Sequence, residues 1–173
     1  VFVDMDLMQI TLYLSETSNV STFVLPKFSL HSTATNSSSR TSHTLNSAIA
    51  SSSLSTVLSI NSHVVVIALG EDDANAIKKA TELCVSVETC FLSVGDNAFE
   101  DMAHVSNAAV NESLALQVIR FTMDQTAPTL RTFSVDMSAE KIRLTFSETM
   151  LGSSFQASML TFVSTALQNG ASY

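Results

Sequence analysis

The first fifteen residues, VFVDMDLMQITLYLS, place apolar side chains at nearly every second position. A period of two is what a strand needs when one face is buried. The pattern predicts strands at Val1–Met5 and Ile10–Leu14, with Ile10, Leu12 and Leu14 on one face and Thr11 and Tyr13 on the other. Phe23 and the run FSLHST supply further strand material. Residues 32–62 are small, polar and rich in Ser; a structureless loop of that length is uncommon in a compact domain, so weak strands are expected there, with Ser53–Ile60 the best candidate. VVVIAL, Val64–Leu69, reads as a buried strand by its length and β-branching. The next segment, EDDANAIKKATELC, changes period and predicts a helix over about Asp72–Leu83. Asp72 or Asp73 would cap it, Ala74, Ile77, Ala80, Thr81 and Leu83 would face inward, and Lys78 and Lys79 would face out. CFLSV and ALQVIRFTM return to strand. Seven or so short strands with one inserted helix in the first 130 or so residues predict a mostly β chain built as a sandwich.

The pattern then starts again. IRLTFSETM, from Ile142, repeats ITLYLSETS, from Ile10, at an offset of 132 residues (142 − 10). The same offset, without a gap, carries Val3, Asp4 and Met5 onto Val135, Asp136 and Met137. It carries Ser15, Glu16 and Thr17 onto Ser147, Glu148 and Thr149, Ser21 and Phe23 onto Ser153 and Phe155, and Ser32 and Thr33 onto Ser164 and Thr165. Apolar alternation could match the aliphatic positions, but not the aspartate or the Ser-Glu-Thr phrase. The chain therefore reads as one full repeat, residues 1–127, followed by the first part of a second, residues 128–173. DQTAPTL, Asp124–Leu130, marks the boundary: Pro128 fixes its own φ and holds Ala127 extended, which makes a semi-rigid joint. The second stub, with Ile142, Leu144 and Phe146 on one face and Arg143 and Thr145 on the other, is expected to be less ordered than the first repeat or to pair with it.

The run from Asp124 to Phe155, with its Asp-Gln-Thr-Ala-Pro linker and LTFSETM strand end, resembles the bacterial Ig-like domains of S-layer and adhesin proteins. It is also similar to tandem repeats in large surface proteins of marine microbes and algae. The resemblance is closest at Asp124–Phe155 and weaker at Val1–Phe23, and the helix and the cysteine pair depart from the shorter Ig-like unit. It implies an Ig-like β-sandwich, an extracellular or cell-surface setting, and a structural or adhesive role whose partners are neighbouring repeats, other surface proteins or glycans.

Composition narrows the setting. The chain has 173 residues and a net charge of −8, with Lys and Arg scattered rather than clustered, which argues against nucleic acid. It begins at Val1, as a fragment or processed product would, and no signal peptide opens it. Its longest aliphatic run is too short to cross a bilayer, so no membrane insertion is expected of this piece. Cys84 and Cys90 fit neither a four-ligand zinc site nor a C-x-x-C redox motif. They read either as a disulfide stapling the helix end to the next strand in an oxidising compartment, or as two small buried thiols. Sequons at Asn19, Asn36 and Asn111 permit glycosylation, although a chain so rich in Ser and Thr acquires such matches by chance.

Candidate chemistry is sparse. His31, His43, His63 and His104 are dispersed, no G-x-S-x-G elbow is present, and four glycines leave no phosphate loop, so no enzyme is expected. Calcium is the more serious proposal, because it takes several carboxylate oxygens on loops. Asp4, Asp6, Glu16, Asp72, Asp73, Asp96, Glu100, Asp101, Asp124 and Glu148 are available, and the sharpest set is Glu16, Asp101, Asp124 and Glu148. Asp124 from the linker and Glu148 from the next repeat would share an ion and stiffen the joint. The competing reading has Glu16 and Glu148 capping turns by accepting backbone N–H bonds. Glycan faces usually use Trp or Tyr, and this chain has no Trp and only Tyr13 and Tyr173. The expectation is a non-catalytic structural or adhesive module without a required cofactor; a calcium-dependent adhesion module and a glycan-binding accessory domain are the alternatives.

Overall fold

The alternating residues at the start form a hairpin of β1 (Phe2–Asp4) and β2 (Gln9–Asn19), in register Val3 to Ile10. This is seen in a computed structural model that describes residues 1–46 and 55–163. The turn is set locally. Asp4 Oδ1 accepts the N–H groups of Asp6 and Leu7 at 3.1 and 2.8 Å, and Met8 takes a left-handed φ of 54°. An Asp side chain bonding to backbone two and three residues on is a turn-forming device of its own.

Two sheets are built around this hairpin. In the first, β2 pairs with β6 (Ser62–Ala68), β6 with β5 (Thr56–Val57), the far end of β2 with β8 (Glu100–Asp101), and β1 in parallel with β10 (Arg120–Thr122). The second has the order β4 (Ser42–Thr44), β3 (Phe28–His31), β7 (Phe91–Val94), β9 (Leu116–Gln117). One core takes Val3, Ile10, Leu12, Val65 and Ile67 from the first sheet and Phe28, Leu30, Leu92 and Val94 from the second. Burial of each such side chain is worth about 1.5–3 kcal/mol. Of the expected strand at Ser53–Ile60, residues 53 and 54 lie outside the described residues, and Thr56–Val57 forms β5. The single strand expected at ALQVIRFTM is two. The chain leaves the second sheet after β9, buries Val118, whose N–H donates to the Cys90 carbonyl, and enters the first sheet as β10.

The helix α1 runs over Glu71–Lys79, ending four residues before the expected Leu83. Ala80 is already extended, and Cys84 takes a left-handed φ of 48° while its N–H donates to the Thr89 carbonyl. Cys84 is joined to Cys90 by a disulfide with a Cα separation of 4.2 Å, which draws the chain back toward β7 where a longer helix would carry it away. The N-cap is Gly70 and not Asp72 or Asp73. Asp73 sits inside the first turn, almost fully buried, where its carboxylate takes Ser55 Oγ at 2.6 Å, His43 Nε2 at 2.8 Å and the N–H of Asn46 at 3.0 Å. That group ties α1 to the chain around β4. The expected outward lysines also divide: Lys79 is exposed, but Lys78 is largely covered.

Beyond the linker, β11 (Leu130–Asp136) and β12 (Lys141–Phe146) form a two-stranded sheet of their own. Its geometry repeats the first hairpin at the offset of the sequence. Val135 pairs with Ile142 and Asp136 with Lys141, as Val3 pairs with Ile10 and Asp4 with Gln9. Asp136 Oδ1 accepts the N–H groups of Ser138 and Ala139, as Asp4 does those of Asp6 and Leu7, and Glu140 has φ 52° where Met8 has 54°. Even the 3-10 turns at Val20–Thr22 and Leu25–Lys27 recur at Gly152–Ser154 and Ala157–Met159. Ser164 and Thr165, the last matched positions, lie outside the described residues, as does Tyr173.

Candidate functional site

A polar constellation outside the core lies where the second hairpin meets α1. The linker is fixed first. Asp6 Oδ1 accepts the N–H of Gln125 at 3.0 Å and the hydroxyl of Thr126 at 2.9 Å, while Asp124 Oδ1 accepts the N–H of Thr126. These bonds hold the Asp6 carboxyl below its ordinary pKa. Thr129 and Ser147 then exchange two bonds, the Ser147 N–H to the Thr129 carbonyl and the Thr129 N–H to Ser147 Oγ.

The Ser-Glu-Thr phrase follows directly. Thr149 donates its N–H to Asn75 Oδ1 at 2.9 Å, and Glu148 Oε2 accepts from Lys78 Nζ at 2.7 Å. The same ammonium donates to Asp124 Oδ2 at 2.8 Å. Asn75 and Lys78 stand three positions apart on α1, hence on one helix face. Lys78 and Glu148 expose only 15% and 12% of their side chains, so this pair is screened less than a surface one. Burial alone would lower the Lys78 pKa, but the bonds from both carboxylates outweigh it and raise it. Burial likewise works to raise Asp124, and the bonds from Lys78, Glu148 and the Thr126 N–H together override it and hold Asp124 low. At the rim, Arg131 donates to Glu71 Oε1 at 2.9 Å between half-exposed side chains.

The expected calcium ligands thus fall into two groups. Asp124 and Glu148 converge, as the sharing of a cation requires, and the cation between them is a lysine ammonium. Among the described residues no backbone N–H donates to Glu148; the N–H groups of Thr129 and Thr149 go to Ser147 Oγ and Asn75 Oδ1. Glu16 and Asp101 lie elsewhere, lining a depression of about 310 Å³ with Leu14, Ser15 and Thr17. Asp101 Oδ1 accepts the N–H groups of Ala103 and Val105, and Glu16 is exposed. Among the described residues no three acidic, His or Cys side chains form a group that would hold a metal ion. What the sequence missed was Lys78: its spacing from Asn75 was legible, but an amphipathic helix places it on the outward face, and only the fold shows that another hairpin covers that face.

Two His-centred clusters have the residue types of a nucleophilic site without its geometry. Asp73 stands between Ser55 and His43, bonding each through a different oxygen, so the imidazole is not poised to take a proton from the serine. His31 is buried between Ser42 Oγ at 2.8 Å on Nδ1 and Ser93 Oγ at 2.7 Å on Nε2. Burial first, and then the Arg40 guanidinium, depress the His31 pKa. Arg40 NH2 lies 3.3 Å from Nε2 and pairs with Glu112, which fits the neutral ring with its proton on Nδ1. The Asp73 cluster ties α1 to β4 and to Ser55, and the His31 cluster clamps β3 to its neighbours β4 and β7.

Of the sequons, Asn36 and Asn111 are exposed, whereas Asn19 is half-buried and its Oδ1 accepts from the N–H and hydroxyl of Ser21. Tyr13 is exposed on β2. No described helix is long and apolar enough to cross a membrane. Compared with known proteins, the chain matches no family model, no curated protein and no solved structure.

Proposed function

We propose that this chain is a structural or adhesive tandem-repeat module of an extracellular or cell-surface protein, non-catalytic, whose units are Ig-like β-sandwiches joined by a specified contact. One observation carries the reading: the second copy of the hairpin lays its Ser-Glu-Thr phrase on the helix of the first unit, across a linker that is hydrogen-bonded along its length. A loose tether needs none of these bonds. A module that sets spacing does, because its work is to transmit force or orientation from one unit to the next. The Cys84–Cys90 disulfide suits an oxidising compartment. Two sheets sharing one core support the sandwich reading, since a strand is pulled from such a unit only against its whole ladder of hydrogen bonds.

In this reading the positive charge at the joint is supplied by Lys78 and not by calcium, which the Lys78 bonds to Asp124 and Glu148 support. Amide exchange across β11 and β12 tests the reading. A two-stranded sheet is marginal alone, so its protection depends on docking. Glu148→Gln, which keeps the shape and removes the charge, is expected to speed exchange of β12 amides about tenfold, equivalent to about 1.4 kcal/mol. Calcium and chelator are expected to leave it unchanged. Exchange indifferent to Glu148→Gln overturns the joint, and protection that follows calcium replaces it with the metal-dependent reading.

A further inference from the structure

Among the described residues, the first Ser-Glu-Thr phrase makes no counterpart to the contact that the second one makes. Ser15, Glu16 and Thr17 are exposed, although their equivalents Ser147, Glu148 and Thr149 rest on Asn75, Lys78 and the linker. The two phrases sit on hairpins of the same register, turn chemistry and following 3-10 turns, so their side chains leave equivalent scaffolds. We infer that Ser15–Thr17 is the acceptor for another copy of this unit: Glu16 takes the ammonium of that copy's Lys78, Thr17 N–H donates to its Asn75, and Ser15 pairs with its Thr129. The inference rests on the joint proposed above and names its partner.

Two further observations favour the same occupant. β1 pairs with β2 as far as Thr11 and β8 pairs with the same edge at Ser18 and Asn19, whereas β12 is paired as far as Phe146, the equivalent of Leu14, against Leu130. A copy arriving with its own Leu130–Thr132 segment extends β2 as β11 extends β12. The charges also match. Asp101 shares with Glu16 the depression beside the phrase, and the last turn of α1 carries Lys79 next to Lys78. An acidic seat thus meets a basic helix end. Complementary charge of this kind fixes register and partner choice more than raw affinity.

The test is a chain in which residues 1–132 are placed directly before the full 173-residue protein, which restores the offset of the natural repeat. Thermal unfolding is read for Glu16→Gln in the second copy, Lys78→Met in the first copy, and both together. Each single change is expected to lower the midpoint of the tandem by roughly 2–4 °C, and the pair by no more than the larger single change, because each removes the same bond. Glu16→Gln in the first copy is the internal control and is expected to shift the midpoint by less than about 1 °C. Amide exchange of Thr17 in the second copy gives a readout independent of global stability, and it should be slower than in the protein alone. Strictly additive shifts, or Thr17 exchange equal in both settings, overturn the inference. If Glu148→Gln still loosens β12 in the same protein, the joint stands and only its extension to Glu16 falls; if neither glutamate matters, both readings fall.

Discussion

The hairpins β1–β2 and β11–β12 share sequence, register and turn, and differ in what covers them. Ile10 is wholly buried and Leu12 nearly so, while Ile142, at the position of Ile10, is 46% exposed. Phe23 stacks at 5.8 Å on Phe28 and 4.9 Å on Phe99; its equivalent Phe155 is 43% exposed. The first hairpin has β6 beside β2 and β10 beside β1, and among the described residues the second has neither. The comparison separates two things usually seen together. Turn, register and left-handed residue follow from about ten local residues. Burial follows from strands that lie some fifty and over a hundred positions further along.

The sharpest way to break the equivalence is to shorten the same side chain in both. Ile10→Ala should cost about 2–5 kcal/mol, the transfer free energy plus a cavity among Leu12, Val65 and their neighbours. Ile142→Ala should cost about 0–1 kcal/mol, since no closed core receives it. Denaturant titration of both variants decides the matter. Equal losses would mean that the second hairpin has a core of its own.

The next effect is titration of the contact of Lys78 with Asp124 and Glu148, which has no equivalent at the first hairpin among the described residues. Lys78 is raised above 10.5, so its contribution is complete below that value and is lost as pH climbs through the folded pKa. Asp124 is held below 3.8, so its contribution is complete above that value and is lost as pH falls through the folded pKa. Protection of β12 amides should therefore be flat across the neutral range and fall at both extremes, and Lys78→Met should abolish the alkaline fall. An alkaline fall that survives Lys78→Met would assign it to another group.

A smaller difference is expected under mild acid. His31 on β3 is depressed below 6.5, and at its repeat position stands Val163. A depressed histidine favours the folded state while neutral, so stability should be complete above pH 6.5 and decline as pH falls below it. The decline belongs to the first unit; β12 protection should not follow it in this range. His31→Gln should flatten the slope, and a slope that persists would point away from the Ser42–His31–Ser93 clamp.

These contrasts explain what could be read from the chain. The strand faces at Ile10–Leu14, the strand at Val64–Leu69 and the repeat were legible because each is a local pattern. The end of α1 was not, because the disulfide and the left-handed Cys84 override an amphipathic run that continues to Leu83. The split of ALQVIRFTM into β9 and β10 was hidden as well, since a strand that changes sheets keeps its alternation. At the joint, the convergence of Asp124 and Glu148 could be argued from the repeat. Their counterion could not, because Lys78 reads as a solvated helix charge until the covering hairpin is in place.

The smallest predicted effect is also the cleanest test that the two turns are one device. Met8 and Glu140 occupy left-handed backbone, which costs an L side chain roughly 1–2 kcal/mol, and a glycine there recovers part of that while adding unfolded-state entropy. Met8→Gly should stabilise the first unit by about 0.5 kcal/mol net of any contact its half-buried side chain loses. Glu140 is exposed, and Glu140→Gly should slow exchange of the Ser138 and Ala139 amides about twofold, a gain of about 0.4 kcal/mol. If Glu140→Gly instead speeds that exchange, the conformation at Glu140 is maintained by its side chain, and the turns resemble each other in outline but not in cause.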